Sequence, residues 1–243
     1  MNGHRILAIV PKIPRRRGMR MVPVGIDNPR LAPHAEAYRR ISIGLEQILP
    51  EDPHGIVAVT SPLAAEGKTT TAANLAAAFA HSGRRVLAVS FDLRRPRLHR
   101  MFGADNEVGI ADVLAGRARA EEAEQTSLID NLRVIASGHS PTNPGALLSS
   151  SRLVPLLEEL RRHADLVIAD TSPLLPIADA SLICAKSDAI LILAHTHVSK
   201  RDALEQALEE LDALGRPMVA AVLNGGRRSS ATRYGAYYYE PYP

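Results

Sequence analysis

The sequence predicts a doubly wound α/β fold, with a mostly parallel sheet and helices on both faces. Two observations predict it. From residue 55 onward, short runs of Val, Ile, Leu and Ala alternate with longer amphipathic stretches. The short runs are also apolar almost throughout, as strands covered on both faces require, and strand–helix alternation builds parallel sheets. Strands are expected at Ile56–Ser61, Val86–Asp92, Leu132–Ser137, Leu166–Asp170, Ala189–His195 and Met218–Asn224. Helices are expected at Ala35–Gln47, Thr69–His81, Ile110–Ala115, Ser151–His163, Ala178–Ala185 and Lys200–Leu214. Gly83, Gly116 and Gly215 stand where helix stops belong.

The 243 residues suffice for one large core, and 46% hydrophobic with 23% charged residues is ordinary for a soluble protein. A single cysteine, Cys184, forms no intrachain disulfide, which points to a reducing cytosol and a packing role. No apolar stretch is long enough to span a bilayer, and Ile6–Val10 is too short for a secretory segment. The net charge of +3 gives no indication of nucleic acid. Residues 1–35 read as a flexible arm in which Lys12, Arg15, Arg16, Arg17 and Arg20 cluster. The cluster reads as a solvated arm and as a weak hold on anionic lipid, two readings that are compatible with each other. Residues 36–225 form the expected domain, and residues 226–243 a flexible tail.

After the first expected strand comes TSPLAAEGKTTTAANLA, residues 60–76, placing Gly67-Lys68-Thr69 at the turn into a helix. Backbone N–H groups there point at anionic oxygens and the helix dipole favours the same charge. This is a P-loop. Ala65, Glu66, Gly67, Lys68, Thr69 and Thr70 are its candidate nucleotide-binding residues, with Lys68 on the β/γ oxygens and the Thr69 hydroxyl on Mg²⁺. A bland small-residue loop would explain the alanines but not GKTT. Pro62 replaces the usual first glycine, and Ala65 stands where another is common; alanine there needs only a permitted φ. Ligands on such sheets sit outside the carboxyl ends of the strands, and there Asp170 ends LVIAD. It either supports the metal or caps an Asx-turn. Asp92 and Arg94 in SFDLRRP would project near the same phosphates, or form a salt-bridged turn. Asn224 closes the last strand as a turn former or a contact to the adenine edge.

Five of the six tyrosines (Tyr234, Tyr237, Tyr238, Tyr239 and Tyr242) lie in the last ten residues. They read as a phosphoacceptor cluster or as an aromatic docking tail.

Together these segments resemble the bacterial tyrosine kinases of capsule and exopolysaccharide synthesis, within the MinD/ParA-like P-loop ATPases. TSPLAAEGKTTTAANLA resembles the family's Walker A, SFDLRRP its second acidic box and VIADTSPLLPIADA its Walker B. SGHSPTNPGALLSS and SKRDALEQALEELDALGRPMVAAVLNG are similar too, and EAYRRIS resembles the subunit-contact helix. The resemblance implies an ATP- and Mg²⁺-dependent autokinase phosphorylating its tyrosine tail between subunits, with Lys68, Asp92 and Arg94 as catalytic residues. It also implies a homo-oligomeric ring using Glu36 and Arg39, a membrane-embedded polysaccharide co-polymerase-like adaptor and a cognate tyrosine phosphatase. The chain would then be cytoplasmic and peripheral at the inner membrane face.

Two departures qualify that reading. The family's acidic box is Asp-x-Asp-x-Arg, and here its first position is Ser90; a hydroxyl cannot act as a base at neutral pH. The contact helix pattern ends in arginine, and here that position is Ser42. The alternatives are therefore a catalytically impaired nucleotide-binding regulator, or a positioning ATPase like MinD. The tyrosine tail and the lack of lysine in Ser61-Pro62-Leu63 argue against the second.

Overall fold

The computed structural model describes residues 5–12, 31–50, 54–215 and 219–226. Arg15, Arg16, Arg17, Arg20 and the tyrosines of the tail lie outside the described residues. The elements run β1 (Arg5–Pro11), α1 (Ala32–Glu46), β2 (Gly55–Thr60), α2 (Lys68–His81), β3 (Val86–Ser90) and α3 (Leu98–Phe102). They continue with α4 (Ile110–Ala115), α5 (Ala120–Ala123), β4 (Glu124–Thr126), β5 (Leu132–Ile135), α6 (Pro144–Leu148) and α7 (Leu153–His163). Then follow β6 (Leu166–Asp170), α8 (Asp179–Cys184), β7 (Ala189–His195), α9 (Arg201–Ala213) and β8 (Val219–Gly226).

All eight strands form one sheet in the order β1-β8-β7-β2-β6-β3-β5-β4. Every pairing is parallel except β4 with β5. Strand periodicity sorts the buried side chains to two faces. Ile56, Ala58, Leu87 and Val89 pack with Ile110, Leu157, Leu160, Ile183 and Leu211 on one face. Val57, Val59, Val86 and Ala88 pack with Tyr38, Ile41, Leu75, Phe79 and Leu98 on the other. Alanines at 72, 73, 76 and 80 carry α2 close onto the sheet. Cys184 is buried, and burial pushes its thiol up to about 12, in keeping with a packing role.

The elements read from the sequence are present, with end shifts that have local causes. β3 stops at Ser90 because the N–H groups of Phe91 and Asp92 both turn to Asp170 O, at 2.8 and 3.1 Å. α1 begins at Ala32, since Pro33 fits a first turn that needs no amide donor. The polar edge strand β4, sequence EQT, and the short helices α3, α5 and α6 carry no periodic signal of their own.

One correction concerns the N-terminal arm. Arg5–Pro11 is not part of a flexible arm but an edge strand, parallel to β8 with Arg5 opposite Ala220 and Val10 opposite Asn224. Its apolar run has a tertiary use: Val10 is 1% exposed, and Leu7 packs so closely on α1 that a Cβ on Gly44 would lie 2.9 Å from it. Deleting residues 1–12 therefore removes a buried valine and uncovers β8. Urea unfolding should show a loss of about 1.5–3 kcal/mol, the scale of one fully buried aliphatic side chain. A dispensable arm would give no loss.

Candidate functional site

The P-loop residues, Asp92, Asp170 and Asn224 meet at the carboxyl end of the central strands, where β2 lies between β6 and β7. Gly67 ends the P-loop at φ +101°, and no side chain caps α2 there. A Cβ on Gly67 would lie 2.6 Å from Asn224 Nδ2, so glycine is required both by dihedral and by space. The uncapped N-terminus leaves backbone donors and a positive dipole end facing the site.

The loop is anchored on both flanks. The N–H groups of Leu174 and Leu175 donate to Ser61 O and Pro62 O at 2.9 and 3.2 Å, tying the loop to the segment after β6. On the other flank Asn224 Nδ2 donates to Glu66 O at 3.0 Å and to Thr71 Oγ1 at 3.4 Å. Glu66 is fully buried; its carboxylate accepts from Leu63 N at 2.7 Å and from the Ser199 hydroxyl. Ser199 in turn accepts from His195 N at 2.6 Å. Glu66 and Asn224 thus act on the shape of the loop, and the Asn224 amide nitrogen is committed to it. Ser199 escaped the sequence reading because its partner is 133 residues away.

Ala65 corrects one expectation. Its φ is +66°, in the left-handed region where a Cβ costs about 1–2 kcal/mol. The permitted φ that alanine was expected to need is one it adopts only under strain.

Facing the loop, the parallel register sets Ser90 beside Asp170 on the α2 side of the sheet. Asp170 is fully buried, and neither carboxylate oxygen has a hydrogen-bond partner; the same holds for the buried hydroxyls of Ser90 and Ser172. Burial pushes the Asp170 carboxyl up to about 7; the adjacent Thr69 hydroxyl and Lys68 oppose the shift, and Asp92 adds to it. The Thr69 hydroxyl favours the charged form without reaching standard hydrogen-bond geometry. Burial also lowers the Lys68 pKa, against the pull of Asp170, Asp92 and Glu66. Buried polar atoms without partners are rare and call for one. A carboxylate, a threonine hydroxyl and a lysine around them fit a hard divalent cation and a phosphate chain. An Asx-cap role for Asp170 is not observed, since its oxygens accept nothing.

Asp92, by contrast, does close an Asx-turn: Oδ1 accepts from Arg94 N at 3.3 Å and Arg95 N at 3.0 Å. It stays within electrostatic reach of Lys68 and Asp170. The Arg94 guanidinium pairs with Asp179 of α8 at 2.8 Å, so the salt-bridged turn is the arrangement found. Asp179 was missed, although an aspartate opening a helix is a recognisable signal. Glu36 pairs with Arg39 and Arg40 along α1, at 2.8 and 3.0 Å, and Ser42 Oγ donates to Arg39 O. Tyr38, the one tyrosine outside the tail, is 2% exposed and its hydroxyl is pushed up to about 12 by burial, with Thr71 opposing. It packs α1 on α2 and is inaccessible as an acceptor.

Two predictions follow from this geometry. The folded Asp170 carboxyl titrates well above its unfolded value, so the native state holds the extra proton between about pH 4 and 7. Without nucleotide, stability falls as pH rises through that window. Asp170→Asn should flatten the fall and raise Tm at pH 8 but not at pH 4 in thermal melts. Ala65→Gly trades about 1–2 kcal/mol of left-handed strain against about 0.4–1 kcal/mol of unfolded-state entropy. A net gain of roughly 0.5 kcal/mol is expected in urea titrations.

An AAA domain family model matches residues 56–218. Tyrosine-protein kinase YwqD of Bacillus subtilis is 34% identical over 92% of this chain and 94% of its own length. The chain spans only 31% and 30% of two longer relatives, which are also tyrosine-protein kinases by name. The kinase domain of Escherichia coli tyrosine kinase Etk superposes with a TM-score of 0.84 at 28% identity, over 99% of this chain and 95% of that one. MinD from Pyrococcus horikoshii, complexed with Mg-ADP, gives 0.61 at 25% identity, over 78% and 74%. A buried Walker-type aspartate facing a P-loop, on a sheet shared over nearly its full length with a kinase domain, leads to one assignment: the chain belongs to the bacterial tyrosine-protein kinase family of P-loop ATPases.

Proposed function

We propose that this chain is an ATP-dependent tyrosine autokinase acting on the tail tyrosines Tyr234, Tyr237, Tyr238, Tyr239 and Tyr242, between subunits. The observation that carries the reading is the buried, unpartnered Asp170 facing Lys68 and an uncapped helix N-terminus. α2 and the loop amides bind and orient the phosphates, and Lys68 neutralises the β/γ oxygens. Thr69 and Asp170 would hold Mg²⁺, which supplies further charge neutralisation on those oxygens. The phenolic oxygen bonds to the γ-phosphorus as the bond to the β–γ bridging oxygen breaks, and ADP leaves. The phenol proton, with a pKa of about 10 in water, passes late in the transfer to a carboxylate, and Asp92 is the candidate. Arg94 acts by tying the β3 loop to α8 through Asp179.

The same reading includes a homo-oligomer using α1, a membrane-embedded adaptor, a cognate phosphatase and a role in exopolysaccharide or capsule synthesis. No helix among the described residues is long and apolar enough to cross a membrane, so the adaptor would supply that contact. Glu36 would exchange its intrahelical partners, Arg39 and Arg40, for a neighbour's on assembly.

Ser90 favours a second reading, a nucleotide-binding regulator with little transfer, because a hydroxyl stands beside Asp170 where a second carboxylate would add charge.

Mass spectrometry of phosphatase-treated protein after incubation with Mg-ATP separates the two. Phosphate should return to residues 234–242 in the wild type and not in Lys68→Ala. Ser90→Asp should raise the rate by about tenfold or more. It should also lower stability without nucleotide, because two buried carboxylates then adjoin. Nucleotide binding with no phosphate in either wild type or Ser90→Asp would reject the kinase reading.

A further inference from the structure

The loop after β3 and the first turn of α3 carry four arginines in seven residues, Arg94, Arg95, Arg97 and Arg100, with no acid between Asp92 and Asp105. Such density on a small surface is ordinarily compensated. Arg85, Arg117, Arg133, Arg161 and Arg201 each sit on a carboxylate, as Arg94 does on Asp179. Arg95, Arg97 and Arg100 are different. They are exposed, and among the described residues their guanidinium groups have no ion pair or hydrogen bond. The carboxylates flanking the run in sequence are engaged elsewhere: Asp92 accepts the loop's own amides, and Asp105 accepts Glu107 N. Burial, and next to it Arg100, hold the His99 pKa below its usual range.

This cluster lies at the working end of the sheet. The Asp92 carboxylate that fixes Arg94 N and Arg95 N is the one in electrostatic contact with Lys68 and Asp170. Leu98 and Met101 then pack α3 beside α2, on the face where the P-loop helix runs. β8 also ends there, since Asn224 holds the P-loop and Gly226 closes the strand. The 17 residues after Gly226 span up to about 56 Å when extended. From β8 to β3 is four strand spacings, about 19 Å.

The geometry points to Arg95, Arg97 and Arg100 as a docking rim for the phosphotyrosine-bearing tail of this protein, which holds a tail on the site after its first phosphorylation so that further tyrosines follow. The rim rests on the autokinase reading for its ligand. The charge logic is specific to the modified tail. Unmodified, residues 227–243 carry Arg227, Arg228 and Arg233 against Glu240, and the rim repels them. Each phosphotyrosine adds about −1.5 to −2 charges and three acceptor oxygens, which guanidinium groups bind bidentately.

The test is a fluorescence-anisotropy titration of the phosphatase-treated full chain with a labelled peptide of residues 227–243 phosphorylated on Tyr238 and Tyr239. Its unphosphorylated twin is run alongside. The phosphopeptide should bind at least about tenfold more tightly, as expected of charged hydrogen bonds. The combined Arg95→Ala, Arg97→Ala and Arg100→Ala variant should lose that preference with an unchanged thermal melt. Arg97→Glu provides a milder change should the triple variant fail to fold. Equal affinity for the two peptides, or full preference in the folded variants, overturns the proposal. So does binding to phosphatidylserine vesicles that the variants lose without any effect on the phosphopeptide, which would assign the rim to a membrane. The titration needs no turnover, so it stands apart from the autokinase test. With Mg-ATP, the triple variant should also accumulate singly rather than multiply phosphorylated tails by intact mass.

Discussion

The Asp170 carboxylate, buried beside Lys68 with neither oxygen hydrogen-bonded, is the constraint on which the rest of the structure depends. A buried carboxyl group without a hydrogen-bond partner is among the costlier features a core can carry, most of all when ionised. It persists here because β6 lies between β2 and β3, and the ladder on both sides fixes its last residue in place. The carboxyl responds to its surroundings by holding its proton up to about pH 7. A bound cation would relieve that cost, so the energy that disfavours the empty site is the energy available for binding.

Preorganisation of the P-loop follows the same economy. A loop that is to wrap phosphates must expose its amides, so it cannot bury them against itself. It is held instead by what lies behind it: Glu66 reaches Ser199, Asn224 reaches Glu66 O, and Leu174 and Leu175 donate from the other flank. Three separate chain segments thereby fix one turn, and they hold Ala65 at a dihedral that alanine adopts only under strain. Ser90 sits within this frame as a local departure. It fills the position next to Asp170 with a neutral hydroxyl, which lessens charge repulsion in the core and removes a carboxylate from the chemistry.

Much of this was legible in the sequence because the signals are local. GKTT after an apolar run states both the loop and the helix it opens, and LVIAD states a strand with a carboxylate at its tip. What stayed hidden involved distant partners. The seven residues Arg5–Pro11 read as an arm because a strand is recognised by its neighbours, and its neighbour β8 is more than 200 positions away. Arg94 is a phosphate candidate by motif, yet its guanidinium is taken by Asp179, 85 residues on.

By itself, then, the sequence determined the fold class, the phosphate-binding turn and the aspartate opposite it, since each is written in the periodicity and residue types of one short segment. Only the tertiary structure decided which candidates share a site and what each one does there. Asn224 proved to be a brace for the loop, Tyr38 a core residue, and Ser90 the immediate neighbour of Asp170. The reason is physical. Backbone propensity acts over a few residues, whereas burial, register and the pairing of charges are set by parts of the chain that meet only once the sheet has formed.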